Sequence, residues 1–197
     1  MIQISYNGSN DMIGAAVIHA NKLFTHIPFL DAIYNLKKFD MATITPRQVT
    51  DLICNADIQL TVDTYWPLRF SSAADAYDDK LEPRAIHLNR LKINRPVHSI
   101  CNTLVHQSIH ALNACYPSYY FGHGCNNPVG KEHTAPFRIA ALAQQIIAKD
   151  KKAVQPMLHE EPGNIQLAGH SSTQVQEALY HEGIFCIYDV MDILEAN

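Results

Sequence analysis

Two histidines set four residues apart are the first feature of this sequence that can do chemistry. His106 and His110 stand in Thr103-Leu104-Val105-His106-Gln107-Ser108-Ile109-His110-Ala111-Leu112. On a helix, residues at this spacing project from one face, one turn apart. Both imidazoles can then reach a single metal ion at about 2.0–2.1 Å. The pair lies off the apolar stripe of its helix, on a face shared with Thr103 and Asn113. Phe121-Gly122-His123-Gly124 follows after a loop and offers a third imidazole. Its flanking glycines let the backbone turn tightly and approach a metal closely. A histidine pair at this spacing also arises by chance on ordinary helices, so the expectation of a metal leans on the third imidazole and on the elements around the pair.

The helix that must carry the pair is the clearest in the chain. Residues 97–113 place Val97, Ile100, Cys101, Leu104, Val105, Ile109 and Leu112 on one stripe, and Pro96 suits its start. Upstream, residues 57–63 alternate strictly and read as a half-buried strand. A return strand is expected around residues 71–77. Residues 85–93 alternate again, with Ile86, Leu88 and either Leu91 or Ile93 facing inward. The N-terminal third reads as helical. Residues 12–27 carry Ile13, Ala16, Val17, Ala20, Leu23, Phe24 and Ile27 on one face, and a short helix is expected over 31–38. Thr45-Pro46-Arg47-Gln48 reads as a capping box with proline at the first helical position, opening a helix that buries Val49, Leu52 and Ile53. After a loop over 116–130, a helix with Pro136 in its first turn buries Phe137, Ile139, Ala140, Leu142, Ala143 and Ile146. Residues 150–172 read as a loop, followed by a helix near 173–181 and a short strand over 184–188.

Taken together, Ile86-His87-Leu88-Asn89, the helix with His106-Gln107-Ser108-Ile109-His110, Phe121-Gly122-His123-Gly124 and Thr134-Ala135-Pro136-Phe137 resemble a zincin metallopeptidase. The nearest likeness is to SprT-like proteases, in which a third histidine in a His-Gly context follows an HExxH helix. The segment is also similar to compact three-histidine peptidases whose strand before the active helix carries Ile-x-Leu-Asn. The resemblance covers residues 57–148. It implies Zn2+ as cofactor, His106 and His110 as helix ligands, and His123 as the third. Glu132 is the alternative third ligand, since some zincins take a glutamate from a second helix, and His133 stands beside it. As a plain structural residue, Glu132 would be a helix-start carboxylate favoured by the dipole, and His123 a loop histidine in water. The family's activity is peptide-bond hydrolysis by a zinc-activated water. Its general base is the glutamate after the first histidine. Here that position is Gln107, an amide that cannot shuttle a proton, and losing a general base costs about 10²–10⁴ in rate. The chain is therefore expected to be either a Glu-to-Gln form of an active protease or a catalytically dead zinc-binding module that holds a peptide or protein. Tyr120, with Tyr116 and Tyr119 nearby, is a candidate to stabilise an oxyanion. The strand Ile86, His87, Leu88 and Asn89 is the candidate substrate-binding edge, where an extended peptide would add alongside.

Composition bounds these readings. With 197 residues the chain is expected to form one domain. At 47% hydrophobic and 17% charged it reads as globular rather than disordered. A net charge of −4 and no lysine- or arginine-rich run speak against nucleic acid as a partner. No stretch approaches the ~18 apolar residues of a membrane span. Five cysteines without a CxxC pair and a polar first ten residues without a signal-peptide pattern point to a cytoplasmic protein with reduced thiols, or to one delivered into another cell as an effector or toxin. The expected fold is α+β and zincin-like: a small mixed sheet packed on the active-site helix, with further N-terminal and C-terminal helices.

Overall fold

A computed structural model describes residues 1–66, 84–122 and 133–149. The expected strand over 71–77, the candidate ligands His123 and Glu132, and the elements expected beyond residue 150 lie outside the described residues. Within them the protein is α+β. In chain order it forms β1 (Ile2–Tyr6), α1 (Asp11–Leu23), α2 (Ile27–Tyr34), α3 (Pro46–Asn55), β2 (Ile58–Tyr65), β3 (Ala85–Asn89), a 3-10 turn (Arg90–Lys92), α4 (Val97–Cys115) and α5 (Ala135–Lys149).

The helix ends follow local chemistry. Asn10 caps α1 by accepting from the Ile13 amide at 3.1 Å. At the start of α3 both halves of the Thr45/Gln48 capping box form, with Pro46 in the first turn. α2 begins at Ile27, earlier than the sequence pattern suggests, because Pro28 favours a first-turn position. Ile27 is consequently 70% exposed and does not extend the apolar face of α1.

The sheet runs β1-β2-β3, and both pairings are parallel. This corrects the expected mixed sheet, as far as the described strands go. Ile2 pairs with Ile58 and Ile4 with Leu60, while Val62 pairs with Ile86. These residues are all buried, whereas Gln3, Ser5, Gln59, Thr61 and Asp63 face outward. In β1 and β2 a period of two thus buries one face only, although parallel sheets are usually covered on both; in β3 Ala85 and Asn89 on the other face are buried as well. The outer edge of β1 is closed from within: Asn21 on α1 donates to the Ile4 carbonyl and accepts from the Ile4 amide, each at 2.8 Å. The alternation after β3 does not persist. Asn89 accepts from the Leu91 amide and opens the 3-10 turn, which leaves Leu91 40% exposed.

α4 is the centre of the molecule. It packs on α1 and α5, and every residue from Ser99 to Leu112 is buried. Its stripe joins the sheet's inner face and the other helices in one core that includes Ile13, Phe29, Ile53, Leu60 and Phe121.

Candidate metal centre

Burial on all sides changes the setting of the histidine pair. The polar side of α4, with Ser99, Asn102, Thr103, His106 and His110, is not a solvent-facing side. α5 lies against it. Asn102 Nδ2 donates to the side-chain Oε1 of Gln144 at 2.7 Å, and the His106 ring meets Phe137 edge-on with centroids 4.7 Å apart. Since 102 faces 144 while 106 faces 137, the two helices run antiparallel.

The imidazoles converge. Their Nε2 atoms lie 3.1 Å apart, with ring centroids at 4.8 Å and planes inclined by 58°. Two Nε2 atoms that far apart, each about 2.05 Å from one ion, would subtend an angle of about 98° there, close to tetrahedral. The same separation fits a direct N–H···N hydrogen bond between neutral rings. Burial pulls the His110 pKa down to about 4, so its ring is neutral at pH 7, the form that ligates metals. His98, the second residue of the helix, is lowered by burial too. Cys101 is driven the other way: its place in the core, on the apolar stripe, raises its thiol pKa well above the usual range. Among the described residues no group of three or more His, Cys, Asp or Glu gathers in metal-binding geometry. The candidate third ligands His123 and Glu132 lie outside them. His133 is exposed.

Gln107 is 1% exposed, and neither its amide oxygen nor its amide nitrogen has a hydrogen-bond partner. Buried polar groups are nearly always satisfied by protein or ordered water. The Gln107 amide is thus a buried polar group without a protein partner, next in sequence to His106.

A clamp just beyond α4 fixes the chain that leads away from the pair. Asn113, three residues after His110, donates to the Tyr119 carbonyl at 2.8 Å and accepts from the Phe121 amide at 3.3 Å. Thr43 donates to the Tyr120 carbonyl through its amide, and its hydroxyl accepts from the Tyr120 amide. Gly122 has φ +89°, and a Cβ there would collide with the Asp40 carbonyl oxygen. The Asp40 amide donates to the His133 carbonyl, and the Ala135 amide to the Phe121 carbonyl. His123 directly follows Gly122 and Glu132 directly precedes His133 in sequence, so both candidate third ligands adjoin residues of one clamp. Comparison with protein-family models, with curated proteins and with solved structures finds no match.

The remaining candidates are placed as follows. Tyr120 is 49% exposed and is held through its backbone. Ile86 and Leu88 are fully buried core residues, and Asn89 is buried and caps the 3-10 turn. His87 is half-buried. A peptide alongside β3 would therefore meet the strand's main chain and not the side chains of Ile86, Leu88 or Asn89. The α4–α5 pair Asn102–Gln144 and the Asn113 brace escape a reading of the sequence; the one signal for Asn113 is its place on the histidine face.

Proposed function

We propose that this chain is a zinc-binding domain of metallopeptidase type, with His106 and His110 as two ligands and His123, or alternatively Glu132, as the third. The observation that carries the reading is the 3.1 Å convergence of the two Nε2 atoms of a buried pair. Zinc bound there supplies Lewis acidity that lowers the pKa of water toward ~7 and polarises a carbonyl. The protein's own contribution is to exclude bulk water, to hold the two rings converging with His110 neutral, and to set a side chain at position 107. A carboxylate at 107 can take up and return a proton; the Gln107 amide can only donate and accept hydrogen bonds. The present sequence is thus a zinc and peptide binder with strongly impaired hydrolysis, and the scaffold is that of a zincin-like protease acting on a protein or peptide.

The test is hydrolysis of an unstructured protein such as casein by zinc-loaded protein with Gln or Glu at position 107. Activity should rise by about 10²–10⁴ in Gln107→Glu and vanish when His110→Ala is added. Zinc binding without cleavage in Gln107→Glu would favour the second reading, a zinc-containing module that binds a peptide or protein without cutting it. That reading has its own support in the bare, neutral amide of Gln107.

A further inference from the structure

Phe137 is the large apolar side chain of α5 that stays outside the main core. It is buried, yet the core takes Ala135, Ile139, Ala140, Ala143 and Ile147 from the same helix and leaves it out. Its ring stands edge-on to that of His106, with centroids 4.7 Å apart and planes inclined by 70°. That lies inside the range of edge-to-face aromatic pairs, about 4.5–7 Å. His106 in turn meets His110, Nε2 to Nε2, at 3.1 Å. α5 is tied down on either side of Phe137. Just before it the Ala135 amide donates to the Phe121 carbonyl at 3.1 Å. About two turns after it, Gln144 accepts from Asn102 of α4 at 2.7 Å. Phe137 and Gln144 therefore share the face of α5 turned toward α4, and the Phe137 ring is held against α4 from both directions.

We propose that Phe137 is a positioning residue for the histidine pair: its ring sets the rotation of the His106 imidazole so that Nε2 points at His110. The inference rests on the reading of the pair as a metal site and names a residue that holds it ready. Helical spacing brings the two histidines onto one face but does not decide which edge of each ring faces the other. An imidazole turns about two side-chain bonds, and the preference about the second is broad. A half-turn of the His106 ring would carry Nε2 away from His110 and set ring carbon in its place. A phenyl ring packed edge-on against the imidazole, and itself fixed by α5, restricts that rotation. Groups that orient a ligating histidine act on metal affinity by about 10–100-fold when removed. They are usually hydrogen-bond acceptors; here the orienting contact is aromatic packing. The Asn102–Gln144 bond acts one step further out, holding α5 in the register that delivers Phe137 to His106.

The experiment compares the full chain with Phe137→Leu and Phe137→Met, which stay apolar but lose the ring, and with Ile139→Val. Ile139 is a fully buried member of the main core on the same helix, so Ile139→Val controls for loosened packing. Two quantities are read. In metal-free protein labelled with 15N-histidine, NMR measures the scalar coupling between the two Nε2 atoms across their shared proton. In separate samples Co2+ is titrated against a competing chelator, with its visible absorption reporting the ligand set. The native chain and Ile139→Val should show the coupling and bind Co2+ alike. Both Phe137 variants should lose the coupling and bind Co2+ at least about tenfold more weakly, with an altered absorption band. Coupling and affinity unchanged in both Phe137 variants would overturn the proposal and make Phe137 a filler. So would an equal loss in Ile139→Val, or a native chain without the coupling. A native chain that shows the coupling but takes up no Co2+ refutes the metal-site reading, and the Phe137 assignment is then decided by the coupling alone.

Discussion

Replacing Gln107 by glutamate puts an ionisable group where the structure offers it nothing. The position is 1% exposed and the native amide has no hydrogen-bond partner. In metal-free protein a carboxyl there is expected to stay protonated, because burial raises a carboxyl pKa by up to 3–5 units. The unfolded chain ionises near pH 4.3, so between that pH and the raised folded value the unfolded state holds fewer protons and stability falls as pH rises. At pH 7 the deficit is about 2.7 pH units at 1.36 kcal/mol each, or about 4 kcal/mol. For a domain of this size that lowers the melting temperature by about 8–16 °C. A divalent ion on the neighbouring imidazoles would favour the ionised form and recover most of the loss. Thermal unfolding of both proteins at pH 4 and pH 7, with chelator and with excess zinc, reads this directly. Near-equal stability is expected at pH 4, with a large deficit for Gln107→Glu at pH 7 in chelator and recovery in zinc. Equal melting temperatures under all four conditions would refute the reasoning, since position 107 would then be neither desolvated nor near a cation.

Three further outcomes follow from the geometry. Gly122→Ala forces a Cβ into the Asp40 carbonyl at a φ of +89° and should lower stability by at least about 2 kcal/mol in urea unfolding; a neutral result would mean that the clamp shifts freely. In metal-free protein His110 should make stability fall as pH drops. With a folded pKa near 4 and an unfolded value of 6.5, both states are neutral above pH 6.5; below it only the unfolded chain gains the proton, and the loss reaches about 3 kcal/mol by pH 4. Flat stability from pH 7 to pH 4.5 would contradict it. Asn21→Ala removes both hydrogen bonds from Ile4 and bares a strand edge, so sedimentation should reveal concentration-dependent self-association, and a strictly monomeric variant would show that Asn21 guards nothing.

Much of the helical scaffold is legible in the sequence because its signals are local. The Thr45/Gln48 box, the period of residues 12–24 and the stripe from Val97 to Leu112 each lie within a few turns. The strand β2 is legible by its strict alternation. What is not legible depends on distant partners. β1 contributes only Ile2 and Ile4 to the core, too short an alternation to stand out, and it exists because Ile58 and Leu60 pair with it across more than fifty residues. The polar side of α4 reads as a solvent face, since nothing near residues 99–110 announces that Phe137 and Gln144 will cover it. For the same reason the sequence places the histidines correctly on one helical face but gives no hint that they are buried.

The central claim is that the paired imidazoles of α4 hold one zinc ion. X-ray absorption at the zinc edge, on protein loaded with one equivalent and dialysed, tests it most directly. Retained zinc with at least two imidazole nitrogens at about 2.0–2.1 Å is expected, with loss of the metal in both His106→Ala and His110→Ala. Zinc that washes out of the native chain, or a zinc environment unchanged by removing either histidine, would contradict it and leave the pair as two core histidines sharing a hydrogen bond.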